Sequence, residues 1–111
     1  MAIEENMWDL IVVEGFFQTM WIHQCGYGNV VGLMGSSMSE KQALLIKRIT
    51  NDQARVFILP DGDEAGAKMA QQVLVDLGSQ RCVRWLSLPG GNDPDEISEE
   101  NTKRFLGDVG L

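Results

Sequence analysis

The sequence predicts an α/β fold, a four-stranded parallel sheet with helices on both faces. Strand-like and helix-like segments alternate four times within 111 residues, the pattern of consecutive βα units. Two strand segments, "DLIVV" and "RVFIL", are apolar at consecutive positions rather than alternating, as strands are when helices cover both sides of a sheet. No linker, low-complexity tract or internal repeat interrupts the pattern. Residues 1–111 therefore read as one three-layer domain with right-handed crossovers.

The first strand is "DLIVVEG" (9–15), an apolar run closed by Glu-Gly. A helix over 16–26 follows; the spacing of three and four predicts an apolar stripe of Phe17, Met20 and Trp21, with Gly26 as the stop. "NVVGLMG" (29–35) is the second strand. "SEKQALLIKRIT" (39–50) is the second helix, opened by Ser39 with Gln42 three residues later, a capping-box pattern. "ARVFILP" (54–60) is the third strand. "DEAGAKMAQQVLVDLG" (63–78) is the third helix, with Ala70, Val73, Leu74 and Leu77 on one stripe and Gly78 at its end. "RCVRWLSLP" (81–89) is the fourth strand, and the tail from Pro94 onward reads as a more polar last helix.

Composition excludes several classes. An apolar fraction of 44% with mixed charge argues for a folded domain rather than disorder. No stretch approaches the ~20 apolar residues of a membrane span, and the acidic start "MAIEENMWD" is unlike a secretory leader. Cys25 and Cys82 have no zinc spacing with the single His23, so both are expected as buried reduced thiols in a cytoplasmic protein. The formal charge of −7 excludes coating nucleic acid by bulk electrostatics. The only adjacent basic pairs, Lys47-Arg48 and Lys103-Arg104, read as solvated helix ends. Any phosphate chemistry would need another source of positive charge.

In a parallel sheet all strand C-terminal ends share one edge, where ligands of open α/β sheets bind. Glu14 follows the first strand, Asp61 and Asp63 the third, and Asp93, Asp95 and Glu96 the fourth. Strand order 2-1-3-4 would set Glu14 against Asp61 and Asp63 across a switch-point crevice. Clustered carboxylates destabilise one another unless protonated or neutralised. Mg2+ or Mn2+, one or two ions, would neutralise them with few protein ligands and would suit phosphoryl or nucleotidyl transfer. Each cluster also has a structural reading. Asp63 is a favoured N-cap, and Asp93, Pro94 and Glu96 fit N-cap, N1 and N3 of the last helix. Gly15 and Gly62 let the chain turn beside the acids and, with Gly66, Gly35 and Ser36, are candidates for binding a phosphate or nucleotide. Gly66, costly inside a helix, suggests close packing or ligand approach. Gly35 and Ser36, before the second helix, offer free N–H groups to a phosphate or simply form a turn.

The ordered set Glu-Gly, a glycine turn after the second strand, Asp-Gly-Asp-x-x-Gly and Asp-Pro-Asp-Glu resembles the Toprim domain of bacterial DNA primases and phage primase-helicases. The stretches that carry it are "VVEGFFQTMWIHQCGYGNVVGLMGSSMSEKQ", "FILPDGDEAGAKMA" and "LPGGNDPDEIS", within residues 9–98. The resemblance implies a compact Rossmann-like Toprim fold and a Mg2+-dependent nucleotidyl-transfer domain acting on nucleic acid and nucleotides. It implies Glu14 as catalytic acid/base and possible metal contact, Asp61 and Asp63 as metal ligands, and Asp93 and Asp95 as additional metal acids. It implies that the domain belongs to a larger protein whose other parts, including primase or helicase modules, supply the basic surface. Three positions depart from the usual pattern: Gln18 where an acid is common, Asn92 where a basic residue is common, and Pro60 directly before Asp61.

Two further readings stay open, a Toprim nuclease that hydrolyses phosphodiesters and a non-catalytic Toprim assembly module. A signalling receiver domain also gathers acids at this rim, but no suitable lysine follows the fourth strand. His23 is expected on the surface, and Trp85 is expected to pack against a helix.

Overall fold

The computed structural model describes residues 7–34, 39–78, 81–87, 97–109 and 111. Its elements run β1 (Met7–Val13), α1 (Phe16–Gln24), β2 (Val30–Gly32), α2 (Glu40–Ile49), β3 (Thr50–Ile58), α3 (Glu64–Leu77), β4 (Cys82–Trp85) and α4 (Glu99–Asp108). All strand pairs are parallel and the sheet order is β2-β1-β3-β4, as the sequence predicts.

The two-residue period of the central strands divides the core in two. Leu10, Val12, Val56 and Ile58 face α2 and α3, packing with Ala43, Ile46, Ile49, Met69, Ala70, Val73 and Leu77. Ile11, Val13, Phe57 and Leu59 face the other way, packing with Ile22 of α1 and Leu106 of α4. Consecutive apolar residues in β1 and β3 thus each have a buried destination, at roughly 1.5–3 kcal/mol per large side chain removed from water.

Local signals set most boundaries. Ser39 and Gln42 form the expected reciprocal capping box. Gly26 follows α1 with φ of 103°, a left-handed stop that only glycine adopts cheaply. β3 begins at Thr50 rather than 54: Thr50 lies opposite Met7 of β1, the register is then irregular, and regular pairing resumes with Arg55 opposite Asp9. Across the same strand pair Arg55 makes a two-pronged ion pair with Asp9, at 2.9 and 2.8 Å. α4 begins at Glu99, with the Ser98 hydroxyl accepting from the Asn101 N–H. Ile97 and Ser98 are not helical, so no continuous helix runs on from Pro94. The expected cap at Asp93 and Pro94 lies outside the described residues.

Three packing expectations fail. Phe17 and Met20 of α1 are exposed, at 74% and 52%, while Ile22 and Cys25 are buried. The segment "FFQTMWIHQC" is apolar on more than one face, so spacing alone did not select the inward one. Trp85 ends the edge strand β4 and is 40% exposed. Cys82, on the same edge strand, is an exposed free thiol, whereas Cys25 is buried and free. A strand with one neighbour is less completely covered.

Candidate active site

The sheet order reverses at β1, with α1 on one face and α3 on the other. The loops leaving β1 and β3 therefore meet at the rim between them. Glu14 and Gly15 occupy the first loop; Pro60, Asp61, Gly62 and Asp63 occupy the second. The Leu59 N–H still bonds the Val12 carbonyl at 2.8 Å. Pro60, buried and without an N–H, cannot continue the ladder, so the chain leaves the sheet at Asp61.

Three structural details bring Glu14 and Asp61 together. Gly66, in the first turn of α3, is buried against them. A methyl group there would lie 2.8 Å from Glu14 Oε1 and would collide with the Asp61 carbonyl oxygen. Its glycine identity is thus a matter of space, not of backbone angle. On the other side Met34 donates its N–H to the Glu14 carbonyl at 2.6 Å, from a left-handed φ of 60°. From α1, Gln18 Nε2 donates to both carboxylate oxygens of Asp61, at 3.0 and 3.2 Å. By sequence Gln18 is only a departure, standing where an acid is common, and is not assigned to the site. The available signal was a polar residue one turn beyond Glu14 in an otherwise apolar segment.

The electrostatics follow from the crowding. Glu14 is half-buried, and its Oε1 is fully buried with no hydrogen-bond partner among the described residues. Burial pushes its pKa from 4.5 to about 7, reinforced by the charges of Asp61 and Asp63 and opposed by a hydrogen bond from the Asp61 main chain. Asp63 performs its structural role as N-cap of α3, its Oδ1 accepting from the Gly66 N–H at 2.7 Å.

Of the residues expected at the site, Glu14, Gly15, Asp61, Gly62, Asp63 and Gly66 lie on this rim. Asp93, Asp95, Gly35 and Ser36 lie outside the described residues. Gly15 and Gly62 do not have the positive φ that only glycine takes readily. Gly15 instead leaves room for Gln18, whose Oε1 would lie 2.5 Å from a Cβ there. Among the described residues, no three of His, Cys, Asp or Glu stand close enough to form a metal centre by themselves. The donors present still suit a hard cation. They are carboxylates, they repel one another, and one buried oxygen has no partner among the described residues.

An open parallel sheet with carboxylates gathered at its switch point defines a class of α/β domains that bind ligands at this edge. The Toprim-like family profile matches residues 11–98, and the chain belongs to that family. Within the family it is of the bacterial DNA primase type. It is 33% identical over 106 residues to a DNA primase of Clostridium acetobutylicum, covering 92% of this chain and 17% of that protein. Its fold superposes on the Aquifex aeolicus primase fragment containing zinc-binding and RNA polymerase domains, with TM-score 0.73 and 32% identity over 91% of this chain and 26% of the other. A DNA primase domain from Pseudomonas aeruginosa gives TM-score 0.74 and 28% identity, over 94% and 33%. The chain thus spans about one sixth of the length of the curated relatives it matches. No described helix is long and apolar enough to cross a membrane.

Proposed function

We propose that residues 1–111 form one Toprim domain, the metal-holding part of a larger primase-like nucleotidyltransferase that joins nucleotides on a nucleic acid template. The observation that carries this reading is Glu14: a carboxyl with one buried oxygen unpartnered among the described residues and a pKa near 7, beside Asp61 and Asp63. Such a group both takes and gives a proton at neutral pH. Asp61 and Asp63 would hold Mg2+ or Mn2+, with Asp93 and Asp95 as further ligands, and Gly35 and Ser36 beside the phosphates. When bound, the cation neutralises phosphate charge and stabilises the attacking and leaving oxygens. Glu14 then manages the proton of the attacking hydroxyl, and Asp63 keeps the α3 N-terminus fixed while lending charge to the site. The net charge of −7 leaves the nucleic-acid track to basic surfaces elsewhere in the larger protein.

The test begins with Mg2+ titration of the 15N-labelled domain. Amide shifts should localise to Glu14, Asp61 and Asp63 and disappear in Asp61→Asn. Shifts spread evenly over the acidic surface would reject the site. Template-dependent nucleotide incorporation by the full-length protein, lost in Glu14→Gln, would support polymerisation. Phosphodiester cleavage without nucleotides would replace it with hydrolysis, and full function of Glu14→Gln would mark a non-catalytic module.

A further inference from the structure

We infer that Gln18 is a positioning residue: its amide holds the Asp61 carboxylate in the crevice and thereby sets the affinity of the site for a divalent cation. The inference rests on the proposal above that this crevice takes such a cation.

Gln18 belongs to the face of α1 that carries Ile22 and Cys25, at spacings of four and three. Ile22 and Cys25 are buried, so the packing that turns them inward also turns Gln18 toward β3 and the rim. The side chain lies over Gly15, where any Cβ would meet its Oε1 at 2.5 Å. From there Nε2 reaches both oxygens of Asp61 at 3.0 and 3.2 Å, across 43 residues of sequence. A carboxylate only accepts, so the amide nitrogen must face it.

The chemistry of an amide suits this task. Glu14 feels the charges of Asp61 and Asp63, and the mutual repulsion of Glu14 and Asp61 would turn the Asp61 side chain away from the crevice. A lysine or arginine here would hold it, but would also cancel the charge that attracts a cation. The Gln18 amide donates hydrogen bonds and adds no charge. One NH2 group uses about two of the four acceptor directions of a carboxylate, so it orients Asp61 without exhausting its acceptor capacity. Hydrogen bonds that orient metal-binding carboxylates commonly govern affinity by ten- to a hundredfold.

The experiment measures Mn2+ and Mg2+ affinity calorimetrically for the wild type, Gln18→Leu and Gln18→Glu, with thermal unfolding of each. It also follows the side-chain NH2 signals of Gln18 by NMR. Gln18→Leu should bind about tenfold more weakly with its amide spectrum otherwise native. Gln18→Glu should unfold at the lowest temperature without cation and gain the most from saturating Mg2+. In the wild type the Gln18 NH2 signals should shift along the same Mg2+ isotherm as Asp61. Without any cation, those NH2 signals should lose exchange protection in Asp61→Ala. Unchanged or tighter Mn2+ binding in Gln18→Leu overturns the inference. So do Gln18 signals indifferent to both Mg2+ and Asp61→Ala, a readout that needs no folded Gln18 variant. A wild type whose Gln18 signals respond to Asp61→Ala but which binds neither metal rejects the cation reading, while the contact itself stands.

Discussion

Replacing Glu14 with glutamine should stabilise the metal-free domain, and only above acidic pH. In the folded protein the Glu14 pKa rises from 4.5 to about 7, chiefly through burial. Below pH 4.5 the carboxyl is protonated in both folded and unfolded chains, so wild type and Glu14→Gln should differ little. As pH rises from 4.5 to about 7 the unfolded chain releases this proton while the folded one retains it, so wild-type stability falls. Above that range the loss is complete and constant. At ~1.4 kcal/mol per pH unit the full value would be ~3 kcal/mol. Glu14 is only half-buried, and solvent screening reduces this to roughly 1–2 kcal/mol, or ~4–8 °C in Tm for a domain of this size. The assay is thermal and urea unfolding of both proteins from pH 4 to pH 9 in EDTA. Equal stability at pH 8, or an equal gap at pH 4 and pH 8, would refute the reasoning. Saturating Mg2+ should narrow the gap, because a bound cation relieves the same repulsion.

Asp63→Ala should lose ~1 kcal/mol from the α3 cap, whereas Asp63→Asn, which still accepts from the Gly66 N–H, should unfold within ~0.5 kcal/mol of wild type. Both should bind Mg2+ more weakly by calorimetry, which separates the charge from the cap. Gly66→Ala, favourable by ~1 kcal/mol in an ordinary helix, should here cost ~2–3 kcal/mol in urea denaturation, since the new methyl collides with the Asp61 carbonyl and Glu14. Arg81→Met should lower stability by ~1–2 kcal/mol. Its guanidinium donates to the Thr50 hydroxyl at 3.0 Å, the Lys47 carbonyl at 2.9 Å and the Thr50 carbonyl at 3.1 Å, tying the end of α2 to the start of β4.

The sequence alone determined the α/β class and the parallel sheet; the strand order 2-1-3-4 was a supposition that the fold bears out. Runs such as Leu10–Val13 and Val56–Leu59 leave no polar face to give to water, which forces helices onto both sides. It also determined which acids stand at strand ends, because Glu14, Asp61 and Asp63 fall where apolar runs stop. Ser39, Gly26 and Asp63 marked their helix ends through bonds made within a few residues, so short-range chemistry sufficed to read them.

Tertiary structure decided what depends on contacts distant in sequence. The inward face of α1 was one such matter, because "FFQTMWIHQC" offers apolar residues in several directions and only packing against the sheet selected Ile22 and Cys25. That selection turned Phe17 and Met20 to solvent and brought Gln18 to Asp61, a contact no local pattern announces. The early start of β3 was another, since Thr50 joins the sheet through its pairing with Met7 of β1, 43 residues away in sequence. The role of Gly66 was a third, because its missing side chain has meaning only where α3, Glu14 and the Asp61 carbonyl crowd together. Periodicity and capping act within a turn or two of chain, whereas burial of Glu14 and its pKa near 7 required three separate strand and helix ends to meet.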